Sequence, residues 1–99
     1  MTPAYVVTSA TPGRLSVDPV ITATDHGFTV GDGIYETIRT LNGRPQLLDR
    51  HLARFADGAA QVGIGYPGFA EISQAIATIC ALPGVGESTG RLRLTLTSG

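Results

Sequence analysis

No lysine occurs in these 99 residues: the seven basic side chains other than histidine are Arg14, Arg39, Arg44, Arg50, Arg54, Arg91 and Arg93. The chain therefore holds no side-chain amine to act as a covalent nucleophile, which removes one class of catalysis from its own repertoire. Cysteine is limited to Cys80, which excludes an internal disulfide framework and fits a reducing compartment. Charge is sparse, at 15% of residues, and nearly balanced, with a formal net charge of −1. That balance excludes nucleic-acid binding through a broad basic field. There is no apolar run of the roughly 18 residues that a membrane span needs. Residues 1–20 also lack the basic start and apolar block of a secretory signal. The expectation is a soluble, cytoplasmic chain with neither nucleic acid nor membrane as a partner.

What is present is a single domain's worth of sequence, 42% hydrophobic, with a fairly apolar surface of the kind that a partner or further sequence covers. Two short β-prone runs, at 5–7 and 14–17, are separated by the turn signal Thr11-Pro12-Gly13. The strongest strand is expected over 34–41, with Ile34, Glu36, Ile38 and Thr40 on one face and Tyr35, Thr37, Arg39 and Leu41 on the other. Asn42-Gly43 both tolerate positive φ, as a tight hairpin turn demands, so residues 44–48 are expected to pair back antiparallel. Asp49 is suited to cap a helix whose apolar positions are Leu52, Phe55, Ala59 and Val62, stopped by Gly63 and Gly65. A second helix is expected to open near Pro67, with Phe69, Ile72, Ile76 and Ile79 as its stripe, and to end at 83–86. Leu92, Leu94 and Leu96 then alternate with Arg91, Arg93 and Thr95 as a closing strand. Strands, two helices and a strand give an α+β fold with the helices packed on an antiparallel sheet. The chain stops directly after that strand, which reads as a truncation.

Several positions carry possible chemistry. Gly31-Asp32-Gly33 permits positive φ and close approach of another backbone at the entrance to the strongest strand. It is not a phosphate loop, because no Gly-Lys-Ser/Thr follows. The Tyr35, Thr37 and Arg39 face either lines a cleft with donors for an anion or is simply solvated. Glu36, between two isoleucines, needs a partner if buried, and a salt bridge with an arginine is the safer reading. Arg50, His51 and Arg54 lie near the start of the first helix, where cations oppose the helix dipole. A bound phosphate would remove that conflict; otherwise they are solvated or capping groups. Arg91 and Arg93 could hold a carboxylate or form an exposed edge. His26 beside Asp25 has no further ligand at metal spacing, so no metal site is expected. Cys80, next to the second stripe, reads as packing.

In order, Asp25-His26-Gly27, Gly31-Asp32-Gly33-Ile34-Tyr35-Glu36, Asn42-Gly43, His51-Leu52-Ala53-Arg54-Phe55 and Arg91-Leu92-Arg93-Leu94-Thr95 resemble the smaller, N-terminal domain of the class IV (fold type IV) pyridoxal-phosphate aminotransferases. That family includes branched-chain and D-amino acid aminotransferases and aminodeoxychorismate lyase. The resemblance implies pyridoxal 5'-phosphate as cofactor, with Arg54 gripping its phosphate. It implies Tyr35 and Arg93 on the substrate side, and Glu36 and His51 as framework residues. It also implies transfer of an amino group between an amino acid and a 2-oxo acid, in a homodimer. Two departures stand out: Ser98 occupies the position where the family commonly has arginine, and the family's Schiff-base lysine belongs to a following, larger domain. No catalytic residue is therefore expected among residues 1–99, and the chain alone is expected to be inactive. The alternatives are a fragment of aminodeoxychorismate lyase, which eliminates pyruvate with the same cofactor, and a non-catalytic anion-binding module.

Overall fold

The computed structural model describes residues 23–99; the β-prone runs at 5–7 and 14–17 lie outside the described residues. The elements in order are α1 (His26–Thr29), β1 (Gly33–Leu41), β2 (Arg44–Pro45), α2 (Leu48–Val62), α3 (Phe69–Cys80) and β3 (Gly90–Thr97). They form a three-stranded antiparallel sheet in the order β2-β1-β3, with the two longer helices packed on it. The expected α+β class is the observed one.

Alternation decides which way β1 faces. Glu36, Ile38 and Thr40 are buried and Ile34 half-buried, whereas Tyr35, Thr37 and Arg39 are exposed. Leu92, Leu94 and Leu96 of β3 turn to the same inward side as Ile38 and pack with Leu52 and Phe55 of α2 and Ile72, Ile76 and Cys80 of α3. Burying such side chains contributes roughly 1.5–3 kcal/mol each. Thr37 stands opposite Arg93 and Arg39 opposite Arg91 in the β1–β3 ladder.

The hairpin turns as its sequence demands: Asn42 has φ 49° and Gly43 φ 74°, and Leu41 pairs with Arg44. Gly43 also meets a steric demand. A Cβ there would lie 2.9 Å from the Cys80 carbonyl oxygen and 2.9 Å from Gly86 Cα. The return strand is shorter than expected, Arg44–Pro45 alone: Gln46 N–H still donates to the Arg39 carbonyl at 2.8 Å, but the left-handed Leu47 then turns the chain into α2.

Three helix details depart from expectation. The residue capping α2 is Leu47, in a left-handed conformation (φ 54°, ψ 39°) and without a side-chain hydrogen bond, rather than Asp49. The chain enters the helix two residues earlier, so Asp49 falls inside the first turn, where its charge suits the dipole but cannot cap. At the other end Gly63 is left-handed and Ile64 N–H donates to the Ala59 carbonyl at 2.9 Å, a Schellman ending. That ending tucks Ile64 into the core in place of Val62, which is 51% exposed. α3 begins at Phe69, after Gly68 rather than at Pro67, and buries Cys80 while leaving Phe69 half exposed. No helix among the described residues is long and apolar enough to cross a membrane.

Candidate functional site

Glu36 is the centre of the site. Its place on the inward face of β1, between Ile34 and Ile38, takes its side chain to 10% exposure. A carboxylate so placed is costly without partners, and α2 supplies two. His51 and Arg54 are three residues apart, hence on one face of the helix. His51 Nδ1 lies 2.7 Å from Glu36 Oε2, and Arg54 Nε donates to Oε1 at 3.2 Å. Each carboxylate oxygen has its own donor. The arginine partner expected for Glu36 is therefore Arg54, and His51 is not a helix cap but a second clamp on the same carboxylate. Arg54 also lies beyond the first turn of α2, so the expected conflict with the helix dipole does not apply to it.

Because Nε is committed to Glu36, the rest of the Arg54 guanidinium projects outward, and its side chain is 80% exposed. It borders a cleft of about 310 Å³ lined by Gly33, Ile34, Tyr35, Glu36, Arg54, Phe55 and Gly58. Gly58 also lines the cleft, and a Cβ there would meet the Ile34 side chain at 3.5 Å; nothing in its spacing on α2 signals that role. Tyr35, 61% exposed, turns its ring to the outer sheet face, where the Arg93 guanidinium lies 4.4 Å from its centroid. The structure thus brings Tyr35 and Arg93 together as a cation–π pair and places Tyr35 and Arg54 on one cleft. Arg93 does not line that cleft.

A second group of polar contacts fixes the approach to β1. Asp25 accepts from Gly27 N at 2.8 Å and from Thr97 Oγ1 at 3.1 Å. Ser98 Oγ donates to Asp32 at 3.0 Å and lies 3.3 Å from His26 Nδ1. Asp25 and His26 are thereby structural ties between α1, the Gly31-Asp32-Gly33 entrance and the end of β3. The Asp-x-Gly spacing, typical of a side chain closing a turn on its own backbone, could have signalled the Asp25 contact. No group of three or more His, Cys, Asp or Glu residues among the described residues is placed to hold a metal. Cys80 is buried, and burial pushes its thiol above the ordinary value.

With that geometry in view, the similarities to known proteins fall into one family. Residues 33–99 match the family model for amino-transferase class IV, and the chain belongs to that family. It is 32% identical over 83 residues to the aminodeoxychorismate lyase of Bacillus subtilis, covering 83% of this chain and 28% of that protein. Over 40 residues it is 50% identical to the D-alanine aminotransferase of Bacillus licheniformis, covering 40% of this chain and 14% of that one. A fold IV-transaminase from Curtobacterium pusillum superposes with a TM-score of 0.71 at 31% identity, covering 85% of this chain and 30% of that one. The chain thus spans less than a third of the length of these relatives. Members of the class use pyridoxal phosphate, and the exposed Arg54 edge beside an open cleft fits a phosphate group. The donor set is right, because guanidinium binds phosphate through parallel N–H bonds, and Glu36 leaves that edge unspent.

Proposed function

We propose that residues 1–99 form the smaller, N-terminal domain of a pyridoxal-phosphate-dependent aminotransferase. The whole protein moves an amino group between an amino acid, of the branched-chain or D-amino kind, and a 2-oxo acid, as a cytoplasmic homodimer. One observation carries the reading: a guanidinium held on one side by a buried carboxylate and open on the other, at the rim of a cleft lined by two glycines.

In this reading Arg54 binds the cofactor phosphate, and Glu36, itself held by His51, fixes the direction in which Arg54 points. Tyr35 and Arg93 orient the substrate carboxylate, the ring holding the guanidinium in place. When bound, the cofactor supplies an electron sink for negative charge at the amino acid's α-carbon. Residues 1–99 contain no lysine, so the amine that carries the cofactor and moves the proton belongs to another domain, and these residues alone bind without catalysing.

The test is equilibrium binding of pyridoxal 5'-phosphate and of pyridoxal, which lacks the phosphate, to the chain and to Arg54→Gln. The phosphorylated form should bind more tightly, and Arg54→Gln should abolish the difference. Equal binding of both compounds by the unaltered chain would remove Arg54 from the cofactor site.

A second reading, a domain of aminodeoxychorismate lyase, is favoured by the greater length of the match to the Bacillus subtilis lyase, 83 residues against 40. Assay of the protein encoded by the whole gene separates the two. Amino transfer to a 2-oxo acid supports the first, and release of pyruvate without amino transfer supports the second.

A further inference from the structure

Gly58 lies inside α2, where glycine is less favourable than alanine because it loses more backbone freedom and packs nothing. Other glycines of the two N-terminal helices have a local reason. Gly27 in α1 stands against the Thr97 side chain, and Gly63 at the end of α2 holds a φ of 75°. Gly58 has neither. A Cβ there would meet only the Ile34 side chain, at 3.5 and 3.9 Å, which is ordinary van der Waals contact. The fold has room for a side chain at 58, and the sequence places none there at the expense of a weaker helix.

What the missing side chain leaves open is the cleft. A helical side chain leans toward the N-terminus and covers the turn before its own Cα. From position 58 that turn carries Arg54 and Phe55, which line the cleft together with Gly58. The Nε of Arg54 is committed to Glu36, so only the outward edge of its guanidinium is available to a ligand. A side chain of any reach at 58 would lie across that edge. Gly33, the other glycine of the cleft, differs in this respect. A Cβ there would lie 2.8 Å from the Leu96 carbonyl oxygen, so packing of the ladder already requires glycine, with or without a ligand.

We infer that Gly58 is a specificity-determining residue of the cleft: carrying no side chain, it keeps the outward N–H edge of Arg54 open to the phosphate of a phosphate monoester. Phosphate as the ligand of Arg54 is taken from the proposed function. What is added is that access to Arg54 is set one turn further along α2, by a residue that takes no part in the clamp on Glu36.

Gly58→Ala and Gly58→Met, both helix-favouring but of different reach, test this by thermal melting and by equilibrium binding of pyridoxal 5'-phosphate and pyridoxal to the chain. Gly58→Ala should melt about 4–8 °C higher than the unaltered chain. It should keep the preference for the phosphorylated compound, because a methyl group is too short to reach the guanidinium. In Gly58→Met that preference should fall about tenfold, the loss expected of one charge-assisted contact. A purely structural role for Gly58 would leave the ratio of the two affinities unmoved. A lower melting temperature for Gly58→Ala overturns the inference, because packing on Ile34 would then require glycine. A preference that survives in Gly58→Met overturns it too, as does an equal weakening of both compounds, which would put the block at the ring. The alanine melt decides the steric point even where Gly58→Met does not fold. Equal binding of the two compounds by the unaltered chain removes the Arg54 phosphate contact and this role of Gly58 with it, whereas a preference shared by the unaltered chain and Gly58→Met removes Gly58 alone.

Discussion

His51 Nδ1 and Glu36 Oε2 are 2.7 Å apart, a contact that ties the middle of β1 to the first turn of α2. With Arg54 on the other carboxylate oxygen, it turns a buried acid into the positioning element of the candidate site.

Glu36→Gln keeps the shape of the side chain but removes its charge and puts an NH2 donor in place of one of the two oxygens that accept from His51 and Arg54. A loss of about 1–3 kcal/mol is expected, the usual cost of breaking a buried charge-assisted contact. Arg54→Ala removes a mostly exposed group and should cost no more than about 1 kcal/mol. Urea denaturation of both variants checks the order. If Arg54→Ala proves the more damaging, Arg54 is structural and its place at the cofactor loses its argument.

Gly43 and Gly63 separate two reasons for glycine. Both have left-handed backbones, φ 74° and 75°, but a Cβ at Gly63 meets nothing within 4 Å, whereas one at Gly43 strikes the backbone at Cys80 and Gly86. Gly63→Ala should cost about 1 kcal/mol, the strain of that conformation alone. Gly43→Ala should cost distinctly more, with a total of roughly 2–4 kcal/mol. Thermal melts of the two variants decide it, and equal losses would mean that the Gly84–Gly86 turn yields freely.

Leu47 occupies a left-handed conformation with its side chain 64% exposed, so it bears strain with little burial in return. Asparagine tolerates that region better. Leu47→Asn should raise stability by about 0.5–1 kcal/mol, read as a higher urea midpoint with an unchanged slope. A lower midpoint would show that Leu47 is packed more usefully than its exposure indicates.

Burial raises the Cys80 thiol and the Tyr66 phenol above their ordinary values, 9.0 and 10.0. In both cases the unfolded chain gives up the proton first. The stability from keeping these groups neutral is fully present below pH 9 and drains as pH rises through their folded values. Stability should therefore fall above about pH 9. A thiol reagent at pH 8.5 should label Cys80 far more slowly in the folded chain than in urea. Labelling at the free-thiol rate would show that α3 opens readily.

Much of this arrangement was legible in the residues because it depends on short periods. The two faces of β1 follow from alternation, so the partnered Glu36 and the exposed Tyr35, Thr37 and Arg39 could be read directly. Asn42-Gly43 announced its hairpin, and Gly63 its helix end. Details set by one local hydrogen bond or one tertiary contact were not legible. Asp49 is a good cap by type, but the left-handed turn at Leu47 admits the chain to α2 two residues too early. Val62 keeps the helical spacing, yet the Schellman ending brings Ile64 into its place. The double clamp on Glu36 needed the distance between a strand and a helix, which no spacing in the sequence encodes. The opposed Arg39 and Arg91 needed the pairing of β1 with β3, across 51 intervening residues.

One close contact bears on how reliably this sheet assembles. A Cβ on Gly33 would lie 2.8 Å from the Leu96 carbonyl oxygen. The alternation of β1 forbids a slip of one position, which would turn Ile38 to solvent, but it is blind to a slip of two, which preserves every face. In one direction such a slip brings Tyr35, with its Cβ, under that carbonyl. In the other it pulls Gly31 out of its φ 69° turn and into extended strand. The smallest residue in β1 thus works as a proofreading device against one direction of a slip that hydrophobic patterning cannot detect.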